Sequence, residues 1–153
     1  MRESAGLLLY RLREGRPQVL LVHPGGPFWS RRDERAWSIP KGECGPREDH
    51  LAVALREFEE ELGQPAAVES LIRLGTVRQP GGKVVHAWAA AGDFDPAHLT
   101  SNTFQLEWPP RSGRVDTFPE IDRAGWFDIE TARRKLLKPQ QAFLDRLLTT
   151  LSG

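Results

Sequence analysis

The sequence contains very little cysteine and no long apolar segment. Cys44 is the only cysteine among the 153 residues, which excludes an internal disulfide and a cysteine-rich zinc site and is typical of a reducing compartment. No apolar run approaches the roughly 18 residues of a membrane span, and the apolar stretch at the start is too short for a signal peptide. We therefore expect a cytoplasmic protein without a membrane partner.

The chain also lacks a net charge. Its 21 lysines and arginines balance its 21 aspartates and glutamates, so a general polyanion-binding surface is not indicated and we expect no nucleic-acid partner. The acids are unevenly distributed, however, because seven of them lie within residues 43–61, beside two arginines. This local excess is the feature that a function has to explain. Nothing in the composition indicates an oligomeric state.

The length and the apolar pattern predict a single α/β domain over residues 1–153, with a mixed sheet and helices packed on it. Short apolar runs bounded by turn residues predict strands at 5–10, 18–23, 37–39, 70–78, 83–91, 102–108 and 121–127. Residues 41–46 and the segment after Pro109-Pro110 are interpreted as loops. A helix is predicted over 47–62, because it lacks Gly and Pro and Gly63 follows it. In the tail over 129–151 the apolar residues recur at helical spacing, which predicts helical structure there.

The helix over 47–62 has two distinct faces. Four apolar residues share an arc of roughly 60° that would pack on the sheet, namely Leu51, Leu55, Phe58 and Leu62. Three carboxylates share an arc of about 100°, centred roughly 140° from the first, namely Glu57, Glu60 and Glu61. Like charges at this spacing destabilise a helix, and acids late in a helix oppose its dipole. The three carboxylates can be interpreted as a solvated acidic face or, more specifically, as a site for a hard divalent cation.

The segment over residues 42–64 resembles the Nudix box, G-x5-E-x7-R-E-U-x-E-E-x-G-U, in which U is a bulky apolar residue. Gly42, Glu48 and the run over 56–63 fill every fixed polar and glycine position, whereas Gln64 replaces the last apolar residue. The segment from residue 23 to residue 43 is further similar to a bacterial subgroup of predicted nucleoside triphosphate pyrophosphohydrolases. The resemblance implies the Nudix fold, a mixed β-sheet sandwiched between helices.

The same resemblance implies the chemistry, which is hydrolysis of a phosphoanhydride bond in a nucleoside polyphosphate with Mg²⁺ or Mn²⁺. The substrate would be a nucleoside triphosphate or a dinucleoside polyphosphate, and a small-molecule nucleotide is thus the expected partner. The implied metal ligands are Glu57, Glu60 and Glu61, with Glu48 and the carbonyl oxygen of Gly42 as further candidates. Arg56 would orient the carboxylates, and Glu57 would serve as a ligand or as a proton acceptor.

The family often adds an acid from a later loop, as another ligand or as the general base. Glu107 and Glu120 are the candidates, and each has an ordinary surface role as its alternative. Lys41, Arg31 and Arg32 are candidates for contacts with substrate phosphate, although a solvated loop would also explain the two arginines.

Two other functions are compatible with the same fold. One is a nucleotide-sensing module that does not hydrolyse its ligand, and the other is a hydrolase of nucleotide sugars such as ADP-ribose. Sensing modules usually lose one of the paired acids, whereas all three are present here. The four histidines show no spacing typical of a metal site.

Overall fold

The computed structural model describes residues 2–153, so the domain boundary predicted at Met1 lies outside the described residues. The strands are β1 (Glu3–Arg13), β2 (Arg16–Pro24), β3 (Lys41–Glu43), β4 (Ala67–Arg78), β5 (Val84–Asp93), β6 (Thr103–Glu107), β7 (Val115–Pro119) and β8 (Ile121–Asp128). The helices are α1 (His50–Leu62), α2 (Ile129–Lys135) and α3 (Gln141–Ser152). None of these helices has the length and apolar character needed to cross a bilayer.

The main sheet is mixed. Its strand order is β4-β5-β1-β2-β8, and β3 pairs with the first residues of β1. Strand β1 runs parallel to β5 and antiparallel to β2 and β3, which makes it the centre of the sheet. Strands β6 and β7 form a separate hairpin. The predicted mixed α/β fold is thus confirmed.

Both faces of the sheet are covered by helices. Successive residues of a strand point to opposite faces, so Leu7 and Leu8 of β1 enter different parts of the core. Leu7 packs in a cluster with Phe58 and Leu62 of α1, and Leu8 packs in a cluster with Phe143 of α3. All five side chains are fully buried. The sheet therefore lies between α1 on one side and α2 with α3 on the other, as predicted.

Three short elements differ from the prediction. Residues 41–43, interpreted as loop, form β3, and β7 lies in the segment that was interpreted as loop after Pro109-Pro110. Residues 37–38, predicted as part of a strand, form only isolated bridges to Val22 and Leu136. Residues 41–43 and Trp37 pair with segments that are remote in sequence, so the local apolar pattern does not report them. Strand β7 pairs with the neighbouring β6, but most of its residues are exposed and it has no apolar run to indicate it.

The ends of α1 are fixed by its flanking residues. The helix begins at His50 rather than at residue 47, because the carboxylate of Asp49 accepts a hydrogen bond from the backbone N–H of Ala52 and caps it. It ends at Gly63, whose φ of 85° is the left-handed conformation that glycine adopts without strain. Gln64 follows in an exposed turn. A polar residue is therefore accommodated at the position where the Nudix pattern has an apolar one.

Candidate active site

The acidic face of α1 is turned partly towards the protein. Four residues of the helix are fully buried, namely Val53, Ala54, Phe58 and Leu62. Leu51 and Leu55 are only half-buried. The prediction of the buried face was therefore correct for Phe58 and Leu62 and wrong for Leu51 and Leu55, because the helix is rotated about its axis towards Val53 and Ala54. On a helical wheel, Glu57 and Glu61 fall between the first two buried residues. Both carboxylates are consequently half-buried against the sheet instead of lying on an open face.

One guanidinium gathers three of the predicted site carboxylates. Nη1 of Arg56 donates a hydrogen bond of 2.6 Å to Glu48 Oε2. Its Nη2 lies 3.7 Å from Glu57 Oε1, and its Nε lies 3.9 Å from Glu60 Oε1. The second oxygen of Glu48 accepts the backbone N–H of Gly45 at 2.5 Å. Arg56 thus has the position expected of a residue that orients the acids.

A close approach of strand β3 to α1 depends on Gly42. Strand β3 pairs with β1, where Gly42 is opposite Ala5. A Cβ atom built on Gly42 would lie 2.0 Å from Cδ of Glu57, a distance that no side chain can occupy. Glycine at this position therefore allows the Glu57 carboxylate to lie directly against the strand. The predicted backbone contribution of Gly42 is thereby placed beside a predicted ligand.

Glu61 is the most enclosed of the acids. Its Oε1 accepts a hydrogen bond of 2.9 Å from the backbone N–H of Lys41, the first residue of β3. Burial nevertheless raises the pKa of Glu61 to about 8. Burial, and then the charge of Glu60, raise the pKa of Glu57 as well. The folded protein thus holds at least two carboxyl groups whose ionisation is opposed by their surroundings.

A pocket of about 320 Å³ opens beside Glu61. Its walls are largely apolar, with Trp29, Ile39 and Leu137 among them, and Lys41 and Glu120 add charged groups. Glu120 is exposed, and its charge contributes to raising the pKa values of Glu57 and Glu61. The structure therefore brings Lys41, Glu61 and Glu120 to one pocket, although they come from three separate parts of the chain.

Glu107 occupies a different environment. Its two carboxylate oxygens accept hydrogen bonds from the backbone N–H groups of Arg111 and Gly113, at 3.0 and 3.2 Å. These contacts close the turn between β6 and β7, which gives Glu107 a local structural task. Of the two later acids, only Glu120 lines the pocket beside Glu61.

The two arginines of the early loop are exposed. The guanidinium of Arg32 lies 5.4 Å from the ring centroid of Trp29, a wall residue of the pocket. Its carbonyl oxygen is 2.6 Å from Nε2 of the buried His23, which ties this loop to β2. Arg32 is thus near the pocket through Trp29, whereas Arg31 is placed only as an exposed neighbour.

No local pattern in the sequence points to Gln140, which holds two residues of the pocket wall in place. Gln140 is fully buried between α2 and α3. Its Oε1 accepts the backbone N–H of Ile39 at 3.0 Å, and its Nε2 donates to Ser38 Oγ at 3.0 Å. These contacts fix the segment that precedes Lys41. A sequence separation of about one hundred residues hides such a contact from local pattern analysis.

Comparison with known proteins gives a consistent result. A model of the protein family described as the NUDIX domain matches residues 1–149. Among solved structures, an Ap4A hydrolase from C. elegans, described as a binary complex, superposes with a TM-score of 0.65 at 22% identity and covers 100% of this chain and 99% of its own. The Nudix hydrolase RenU from M. smegmatis gives 0.62 at 21% identity, over 98% and 85% of the two chains.

A third similar structure is the NUDIX domain of Shewanella oneidensis NrtR in complex with ADP ribose. Its TM-score is 0.63 at 16% identity, and the match covers 97% of this chain and 87% of that one. At these identities the likenesses support the fold, and the match over residues 1–149 is the finding that concerns the family.

Proposed function

Because the chain belongs to the Nudix family of hydrolases, we propose that it cleaves a phosphoanhydride bond of a nucleoside polyphosphate with the help of Mg²⁺ or Mn²⁺. The single observation that carries this proposal is the cluster of acids on α1 beside a pocket that Glu61 lines. The Arg56 guanidinium and the backbone of β3 hold these acids together.

The donor set fits a hard divalent cation. Glu57, Glu60 and Glu61 supply carboxylate oxygens, which Mg²⁺ and Mn²⁺ prefer over nitrogen and sulfur ligands. Burial is the main cause that raises the pKa values of Glu57 and Glu61, and neighbouring carboxylates raise them further. A bound cation would supply positive charge beside them, so we assign these three residues as ligands. Glu48 and the carbonyl oxygen of Gly42 are the further candidates.

The protein's own residues account for the remaining requirements of the reaction. Held by these residues, Mg²⁺ would supply positive charge for the phosphate oxygens and would lower the pKa of a coordinated water. Arg56 keeps the carboxylates in position, and Lys41 lies where its ammonium group can face a substrate phosphate in the pocket. We assign Glu120, rather than Glu107, as the later acid that accepts a proton or completes the ligand set, because only Glu120 shares the pocket.

The pocket indicates the part of the substrate that is recognised. Its volume of about 320 Å³ is at the lower end for small-molecule sites and suits one nucleoside. Trp29 offers an aromatic surface on which a base can stack. A nucleoside triphosphate or one half of a dinucleoside polyphosphate fits this description. Cytoplasmic localisation remains a prediction.

The ADP-ribose complex of the similar NrtR domain makes a nucleotide sugar the second candidate substrate. A sensing module without hydrolysis is disfavoured because the acids and Arg56 are intact and in contact.

A substrate screen tests the proposal directly. The purified chain is incubated with Mg²⁺ and with nucleoside triphosphates, diadenosine polyphosphates and ADP-ribose, and the products are identified by chromatography. We expect metal-dependent release of a nucleoside monophosphate from at least one phosphoanhydride substrate. Binding of these ligands without turnover would instead favour the sensing module.

Replacement of the two later acids separates their roles. Glu120→Gln is expected to lower kcat about tenfold or more, because a general acid or base typically contributes 10²–10⁴-fold and a ligand position is also affected. Glu107→Gln should change kcat by less than about twofold, since its carboxylate contacts only the turn of its own hairpin. The two substitutions remove the same charge and are compared by initial rates. Equal losses in both variants would contradict the assignment of Glu120.

A further inference from the structure

A second group of side chains with the chemistry of metal ligands lies at the start of α1, away from Glu57, Glu60 and Glu61 but two residues from Glu48. Glu3, His50 and His86 each have one ligand atom within 4.8 Å of the others. At a rise of 1.5 Å per residue, His50 is about 15 Å along the helix axis from Glu60. The three residues come from β1, α1 and β5, so the fold assembles a group that sequence spacing does not show.

The unusual member of this group is His86. The residue is 9% exposed, and neither of its ring nitrogens has a hydrogen-bond partner among the described residues 2–153. Its Nε2 lies 3.6 Å from Glu3 Oε1, beyond hydrogen-bond distance. An unpaired buried polar group destabilises a fold unless another ligand satisfies it. Within the part of the chain that the structure describes, His86 thus contacts Glu3 at 3.6 Å but has no hydrogen bond at either ring nitrogen.

The other two members are already positioned by each other. Nε2 of His50 lies 2.9 Å from Glu3 Oε2, and the ring of His50 stacks on that of His86 with centroids 3.8 Å apart and an angle of 24° between the planes. Stacking and one hydrogen bond explain the geometry of His50 and Glu3. They leave the nitrogens of His86 unsatisfied.

We propose that Glu3, His50 and His86 bind a borderline transition metal of the Zn²⁺ type, at a site separate from Glu57, Glu60 and Glu61. Two imidazole nitrogens and one carboxylate oxygen suit Zn²⁺, Co²⁺ or Ni²⁺, whereas Mg²⁺ and Ca²⁺ prefer oxygen ligands. Zinc bonds to nitrogen are about 2.0–2.1 Å long, so the stacked rings would rotate apart to bring the three ligand atoms around one ion.

The site leaves one coordination position open. Glu3 and His50 line a second pocket of about 320 Å³ that also includes Cys44 and Glu48. The Cys44 side chain is outside the group of ligand atoms that lie within 4.8 Å of one another. We therefore expect water in the fourth position, which is an oxygen ligand and not a thiolate.

Binding at this site would connect three elements of the fold. Glu3 begins β1, and the parallel pairing of β1 with β5 places His86 opposite Ala5, two residues further along. His50 is the first residue of α1. A ligand that binds the folded chain and not the unfolded one stabilises it. The ion would thus fix the start of α1 against the centre of the sheet.

The test is a titration with Co²⁺ followed by visible absorption, with Zn²⁺ as competitor and millimolar Mg²⁺ present to occupy the acids of the proposed active site. We expect one saturable site whose absorption bands are displaced by Zn²⁺. His86→Phe and Glu3→Gln should each weaken binding at least about tenfold, because each removes a ligand atom. Phe keeps the aromatic stacking at position 86, and His98→Asn serves as the exposed control, with binding unchanged.

Two further variants make the outcome decisive. Glu60→Gln should leave Co²⁺ binding intact even if it abolishes hydrolysis, so that failure of one proposal is distinguishable from failure of the other. Circular dichroism of the metal-free variants shows whether each is folded, and the half-exposed Glu3 provides the test if His86→Phe does not fold. Absence of saturable binding, or binding lost in Glu60→Gln and retained in Glu3→Gln, would overturn the proposal.

Discussion

Replacing Glu60 by Gln is expected to lower kcat for Mg²⁺-dependent hydrolysis at least about a hundredfold. An amide has nearly the same shape as the carboxylate but lacks its charge, so it binds Mg²⁺ poorly. Glu60 is also close to the guanidinium that orients the acids, because its Oε1 lies 3.9 Å from Nε of Arg56. The loss should appear in single-turnover rates at saturating substrate, which separates the chemical step from substrate binding.

Glu59→Gln is the matched control for this substitution. Glu59 precedes Glu60 in the same helix and is exposed, and its described contact with Gly63 uses only its backbone carbonyl. The change in net charge is identical, and 100° of helical rotation separates the two side chains. We expect turnover close to that of the wild type in Glu59→Gln. Near wild-type turnover in Glu60→Gln would contradict the assignment of the α1 acids as metal ligands.

The second large effect concerns the thermal stability of the metal-free protein, which we expect to decrease as pH rises and to be restored by Mg²⁺. In the folded protein the pKa of Glu61 is about 8, against an ordinary value of 4.5. Between these values the folded state keeps a proton that the unfolded chain has lost, so the free energy of unfolding decreases as pH rises. In EDTA, Tm is expected to fall by about 3 °C or more between pH 6.5 and pH 8. Burial raises the pKa of Glu57, which has the same sign of effect.

Millimolar Mg²⁺ should reverse this trend, because the cation binds the ionised acids of the folded state and releases their protons. Melting curves with and without Mg²⁺ should therefore diverge as pH increases. Glu61→Gln is expected to remove most of the pH dependence in EDTA, since the amide does not titrate. A metal-free Tm that rises from pH 6.5 to pH 8 would show that Glu61 is ionised in the folded protein.

The sequence predicted the parts of this molecule that are encoded locally. The order of the long strands, the helix that ends at Gly63 and the acids on one part of its surface all follow from short-range spacing. The orientation of α1 did not follow, because Leu51 and Leu55 are the larger apolar residues whereas Val53 and Ala54 are the buried ones. The small side chains of Val53 and Ala54 allow the helix to approach the sheet closely. A prediction that places the largest apolar residues in the core misses this arrangement.

Most of the features that the sequence did not predict depend on contacts between distant segments. Strand β3 exists because Gly42 pairs with Ala5, and His86 meets His50 because β5 runs beside β1. The choice between the two later acids also required coordinates. Glu107 and Glu120 look alike in sequence, yet one closes a turn and the other lines the pocket.

The β6–β7 hairpin and the loop after β2 are attached to each other. Trp108, which follows β6, meets Phe28 edge to face at 5.2 Å, and Phe104 of β6 lies against Gly26, where an added Cβ would be 2.9 Å away. The carboxylates, in contrast, belong to a helix packed on the sheet. On the proposed function, the loop that carries the pocket residue Trp29 is therefore braced by the β6–β7 hairpin, and the same hairpin leads directly into Glu120. Substitution of these aromatic contacts would alter the pocket while the acids of α1 stay in place.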